Sequence, residues 1–145
     1  MAKFKYRFEA IKKIKQRMEK KVQKEVAIIE LEIVKKETEI KNLTEQIRSE
    51  KAKVLNRKSM KASELHFYSM YENYLINRID EIKAELVLKK EERNKKVKEL
   101  EEKIKETKIF EKLEEKHLQE FVIEQDKLEQ LELDEIAVKE FIKGK

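Results

Sequence analysis

N-R-K-S-M-K-A-S-E-L-H-F-Y-S-M-Y-E-N-Y-L, residues 56 to 75, is where the periodicity of this chain breaks. On either side isoleucine, leucine and valine recur every three or four residues among charges, the pattern of an amphipathic helix. Between Arg57 and Ser63 only Met60 is apolar, and Ser59 and Ser63 are both residues that can cap a helix N-terminus. Four aromatics follow together: Phe67, Tyr68, Tyr71 and Tyr74. The stretch reads as the reversal of a long helical hairpin, with its turn near residues 58–64 and an aromatic cluster on the outgoing helix.

Composition supports few elements and long ones. Of the 145 residues 46% are charged, there is no proline, and the one glycine is Gly144. Folds with many turns draw on glycine and proline, and neither stands where such a fold would want it. High charge and low hydropathy also describe disordered chains, but the sustained apolar period argues against disorder. An all-α fold follows, with residues 1–145 as a single antiparallel coiled-coil hairpin. The chain has no cysteine, which excludes disulfides and thiolate metal sites. No apolar run reaches the roughly 20 residues of a bilayer span, and the N-terminus lacks the apolar core of a secretory signal. A soluble, cytoplasmic protein without membrane insertion is expected.

Residues 3 to about 58 read as the first helix. Val26, Ile33, Ile40, Ile47 and Val54 fall seven apart, with Ile29 and Leu43 at the alternate seam positions. Upstream, Phe8, Ile11, Met18 and Val22 read as a second heptad run, joined to the first by a four-residue stutter. Lys36 and Glu50 take seam positions, where aliphatic stems can lie along a partner while the charges reach water. Residues 64 to about 142 read as the second helix. Its seam opens with Leu75, Ile79, Ile82 and Leu86, is interrupted by Lys89 and Arg93, and resumes at Val97, Leu100 and Ile104 in shifted register. A fold about residue 61 sets residues near 29 and 33 beside Lys89 and Arg93, residue 18 beside Ile104, and Phe4 beside Leu118. Each buried aliphatic side chain contributes about 1.5–3 kcal/mol, against about 0.2–0.5 for a Glu/Lys pair at helical spacing, so the seam governs pairing.

The arms are unequal. Past about residue 120 the second helix outruns the first, yet keeps Phe121, Val122, Ile123, Leu128, Leu131, Leu133, Ile136, Val138, Phe141 and Ile142. Apolar surface on that scale marks an interaction site, unless the bend lies elsewhere and the first helix covers it. Charge is polarised as well. Residues 1–24 hold ten Lys and Arg against two Glu, a net of +8; residues 120–140 hold eight acids against two lysines, a net of −6. Both signs are those the helix macrodipole disfavours, so helix stability does not account for them. Mutual attraction between the two segments is one reading; docking into a partner of complementary charge is the other.

No catalytic apparatus is visible. His66 and His117 are far apart with no second ligand at metal spacing, and no glycine-rich phosphate loop exists. A thin rod cannot easily desolvate carboxylates for acid–base work, so the chain reads as non-enzymatic, without metal or cofactor. The basic N-terminus alone is too weak a signal for nucleic-acid binding, given the acidic segment near it. Around residue 70, Tyr68 and Leu75 align with the seam. Phe67, Met70, Tyr71 and Tyr74 form a second stripe at i, i+3, i+4 and i+7. Tyr71 reads as closing the loop end of the hairpin, whereas Phe67, Met70 and Tyr74 suit a partner groove equally well.

Phe4-Lys5-Tyr6-Arg7-Phe8-Glu9 with Ile11, Ile14 and Lys15, and Leu133-Asp134-Glu135-Ile136-Ala137 near the C-terminus, resemble the opening and closing segments of the FliJ family of flagellar type III export. Length, hairpin plan and the mid-chain aromatics agree with it over the whole chain. The resemblance implies a small cytosolic protein, monomeric and peripheral to the inner-membrane export apparatus, shaped like the central stalk of rotary ATPases. It implies that the paired termini enter the hexameric export ATPase, FliI, through Phe4, Tyr6, Arg7, Lys12, Lys13, Arg17, Leu133, Asp134, Glu135 and Ile136. It implies further that Phe67, Met70, Tyr71 and Tyr74 meet the export gate protein FlhA or export chaperones. A stalk of a virulence type III secretion system, similar to the YscO group, and a generic structural coiled-coil rod are the alternatives.

Overall fold

The computed structural model describes residues 2–144 and contains two helices, α1 (Glu9–Leu55) and α2 (Ala62–Lys143). They pair as an antiparallel hairpin. Two units make up the chain, one running up to Lys20 together with everything from Glu101 on, the other Lys21–Leu100.

In the unit spanning Lys21–Leu100, α1 buries Val22, Val26, Ile29 and Ile33 and α2 buries Leu75, Ile79 and Ile82, the last with no exposed surface. Lysines at the edges of this seam reach across to glutamates: Lys96 to Glu25 at 2.7 Å, Lys89 to Glu32 at 2.7 Å and Lys36 to Glu85 at 2.8 Å. In each pair the residue numbers sum to 121, as they do for Arg57 and Glu64 at the turn, which centres the reversal on residues 60 and 61. Lys89 and Arg93 are half-buried, so these charges lie within the seam rather than interrupting it. Hydrogen bonds to the cross-helix lysines hold the carboxyl pKa values of Glu25, Glu32 and Glu85 below the usual glutamate range.

The turn runs from Asn56 to Lys61. The Arg57 N–H donates to the Val54 carbonyl three residues back, a tightened last turn that closes α1. The first bond of α2 runs from the Leu65 N–H to the Lys61 carbonyl, so neither Ser59 nor Ser63 sits at the helix start. Glu64 instead supplies an acid to the first turn of α2, favoured by the macrodipole, and pairs with Arg57 at 3.0 Å.

Two expectations fail in the other unit. α1 starts at Glu9, not at residue 3. The run Phe4-Lys5-Tyr6-Arg7-Phe8 alternates aromatic and basic residues with a period of two. Residues up to Tyr6 are non-helical, and a turn at Arg7 and Phe8, in which the Glu9 N–H donates to the Tyr6 carbonyl at 3.2 Å, leads into α1. Burial follows that alternation: Tyr6 is buried, Phe4 and Phe8 are half-buried, and Lys5 and Arg7 are exposed. An extended chain rises about 3.3 Å per residue against 1.5 Å in a helix, and Phe4 therefore reaches Phe121, one turn beyond the expected Leu118.

The upstream heptad run is also not the seam. Ile11, Ile14 and Met18 are 41%, 52% and 43% exposed, and the half-buried positions are Lys12, Lys15, Gln16 and Glu19. Lys12 meets Glu114 at 2.6 Å and Lys15 meets Glu106 at 3.1 Å. These pairs and the docked aromatics fix the rotation of α1, and the aliphatics are left on the outside. No stutter is needed, because Phe8, Lys15 and Val22 follow each other at seven-residue steps on the inward side. Opposite them the polar Thr107 is 2% exposed, its hydroxyl satisfied by donation to the Lys103 carbonyl at 3.0 Å.

Candidate functional site

The N-terminal segment is an aromatic clasp on α2. Tyr6 donates its hydroxyl to the Phe110 carbonyl at 2.7 Å, and its ring lies 5.7 Å from His117. Phe8 stands edge-on to Phe110 at 6.3 Å, and Phe4 packs on Phe121 at 5.5 Å. Lys12 pairs with both Glu114 and Glu9 and stands over the Tyr6 ring at 5.9 Å. Burial, reinforced by Glu114, pushes the Tyr6 phenol pKa up; the bond to Glu114 raises that of Lys12.

Of the residues assigned from sequence to an ATPase partner, Phe4, Tyr6 and Lys12 therefore spend their side chains within the molecule. Arg7 stacks over Phe8 at 5.6 Å but is otherwise exposed. Lys13 and Arg17 are exposed, Lys13 within 4.0 Å of Glu9. Leu133, Asp134, Glu135 and Ile136 are all exposed on α2.

That last group belongs to a tail. Phe121 and Gln125 are the final half-buried residues, and from Asp126 to Gly144 every residue is exposed. Leu128, Leu131, Leu133, Ile136, Val138 and Ile142 are 48–66% exposed, a density of aliphatic side chains that water alone does not favour. Leu131 and Val138 floor a shallow groove rimmed by Asp134, Glu135 and Lys139.

In the Lys21–Leu100 unit, Phe67, Met70 and Tyr74 are 75%, 58% and 65% exposed, while Leu75 is buried. Tyr71 is half-buried and accepts a hydrogen bond from the Gln46 amide, which ties it to α1. Val54, Met60, Phe67, Tyr68 and Tyr71 line a groove of about 750 Å³ at the turn, with Glu50, Lys53, Arg57 and Glu64 around it. Burial raises the pKa of the Tyr68 phenol there. Sequence reading did not single out this groove; the sparse apolar signal of Val54 and Met60 becomes a surface only when the turn brings them beside the aromatics.

Among the described residues no cluster of His, Asp and Glu is suited to hold a metal ion. No helix is long and apolar enough to cross a membrane.

Comparison with protein families decides the identity. The model of the family described as Flagellar FliJ protein matches residues 4–145, from the first residue of the aromatic clasp through the exposed tail. The chain belongs to the FliJ family. It is thus a component of the flagellar type III export apparatus, in a family of structural and adaptor proteins. No curated protein and no solved structure matches it. Within the FliJ match fall both the segment from Phe4 to Glu9 and Leu133-Asp134-Glu135-Ile136, which the structure places respectively in the clasp and on the tail.

Proposed function

We propose that this FliJ-family chain is the non-enzymatic stalk and adaptor of the export apparatus, binding and stimulating a hexameric FliI-like ATPase on the cytoplasmic side of the inner membrane. The tail of α2 supports this best: a run of helix with every residue from Asp126 to Gly144 exposed, rich in both acids and aliphatics. A helix of that character offers a ring apolar contacts and charge together. Leu133, Asp134, Glu135 and Ile136 make the contact on the tail, joined by Arg7, Lys13 and Arg17. Tyr6 and Phe4 act indirectly, by holding the N-terminal segment on α2. Phe67, Met70 and Tyr74 are the surface for an FlhA-like gate and for export chaperones, with Tyr71 holding the stripe in place.

The decisive experiment measures hydrolysis by a purified export ATPase with and without this protein. Stimulation is expected from the wild type and is lost in a Leu133→Asp, Ile136→Asp double variant. Phe67→Ala with Tyr74→Ala is expected to keep stimulation and to lose binding of the soluble gate domain. The reverse division of effects rejects this assignment of surfaces.

A further inference from the structure

Two uncovered surfaces of the unit that holds both termini match each other. On α2 the inward positions follow seven-residue steps, Phe110 to His117 and Glu114 to Phe121. The same steps continue as Leu128, Leu131, Val138 and Ile142, which are exposed. The tail therefore carries a coiled-coil seam ready to receive another helix. Glu124 and Glu135 lie at seam positions among these aliphatics, and Asp134 borders them. On α1 the aliphatics Ile11, Ile14 and Met18 form an exposed stripe at helical spacing, with the exposed Arg17 beside them. The sequence around that stripe is strongly basic and the tail is strongly acidic, +8 over residues 1–24 and −6 over 120–140.

These surfaces do not meet within one molecule. α2 is a single unbroken helix to Lys143, so its tail does not fold back on the α1 beside it. The N-terminal segment, even extended, carries Phe4 only as far as Phe121. In place of the monomer that the resemblance implies for the free protein, we propose that the occupant of the tail seam is a second copy of this chain, each tail lying along the Ile11–Ile14–Met18 stripe of the other. Two such contacts related by a twofold axis close the pair and leave no further edge. Leu133 and Ile136 sit on the side of α2 away from Leu131 and Val138, but Asp134, Glu135 and Arg17 belong to both surfaces, so self-pairing and the proposed ATPase contact compete. The pair is the form of the free protein; a ring that takes in one stalk takes it from this pool.

Sedimentation equilibrium of the full-length protein tests this. A dimer is expected in low salt and is expected to weaken as salt screens the opposed charges. Ile14→Asp and Leu131→Asp, both at exposed positions whose helicity is checked by circular dichroism, each raise the dissociation constant at least about tenfold, a loss of about 1.4 kcal/mol. A protein that stays monomeric at the highest concentration reached in low salt overturns the proposal. So does a dimer that survives Ile14→Asp, which would pair tail on tail.

Discussion

Two stretches of α1 make the instructive contrast. From Val22 to Ile33 one row of aliphatics is inside, Val22, Val26, Ile29 and Ile33 being at most 8% exposed, while Ile28 and Leu31 are 56% and 62% exposed. From Ile11 to Met18 the arrangement is inverted, with Lys12 and Lys15 turned to α2 and Ile11, Ile14 and Met18 turned to water. The two stretches look alike as sequence, an apolar residue every third or fourth position among charges. Burying an aliphatic side chain contributes about 1.5–3 kcal/mol, whereas an exposed ion pair contributes about 0.2–1. Stability is therefore concentrated where the aliphatics are inside, and the inverted stretch keeps its apolar surface for contacts outside the chain.

The contrast can be broken by substitution. Ile82→Ala is expected to have the largest effect, about 2–5 kcal/mol in chemical denaturation, because its side chain is fully covered. Ile29→Ala follows within the same range, whereas Ile14→Ala, the same change on the same helix, shifts stability by less than about 0.5 kcal/mol. Equal losses at Ile29 and Ile14 would erase the distinction between the two stretches.

Acid sharpens it. Glu25, Glu32, Glu85 and Glu106 have their carboxyl pKa values lowered by bonds to Lys96, Lys89, Lys36 and Lys15. A carboxyl whose folded pKa is depressed contributes stability that is complete above its unfolded value, about 4.3, and is lost as pH falls through the folded value. Thermal melts followed by circular dichroism should hold steady from neutral pH to about 5 and fall below about 4. A Glu106→Gln variant should flatten this acid response least at Ile29 and most around Lys15, read by hydrogen exchange residue by residue. The smallest effect is expected from Phe67→Ala, at a ring 75% exposed: stability within about 0.5 kcal/mol of the wild type, so that any loss of gate binding reports contact rather than folding.

The sequence by itself determined that the chain reverses once, and where. Absence of proline and interior glycine left long helices as the economical choice, and the break in apolar period between Arg57 and Ser63 located the turn; these are local properties of the chain. It determined the uncovered tail as well, because counting residues either side of residue 61 shows which arm outlasts the other. What it could not determine is which side of a helix faces inward when both sides carry aliphatics. At Ile11, Ile14 and Met18 the tertiary structure decided, through the Lys12–Glu114 and Lys15–Glu106 pairs and the clasp of Tyr6 and Phe8 on Phe110 and His117. Those contacts join residues about a hundred positions apart. The rotation of a rigid helix is set by its strongest distant anchors and not by its own periodicity, so only the folded chain could show that Thr107 would be buried and Ile14 would not.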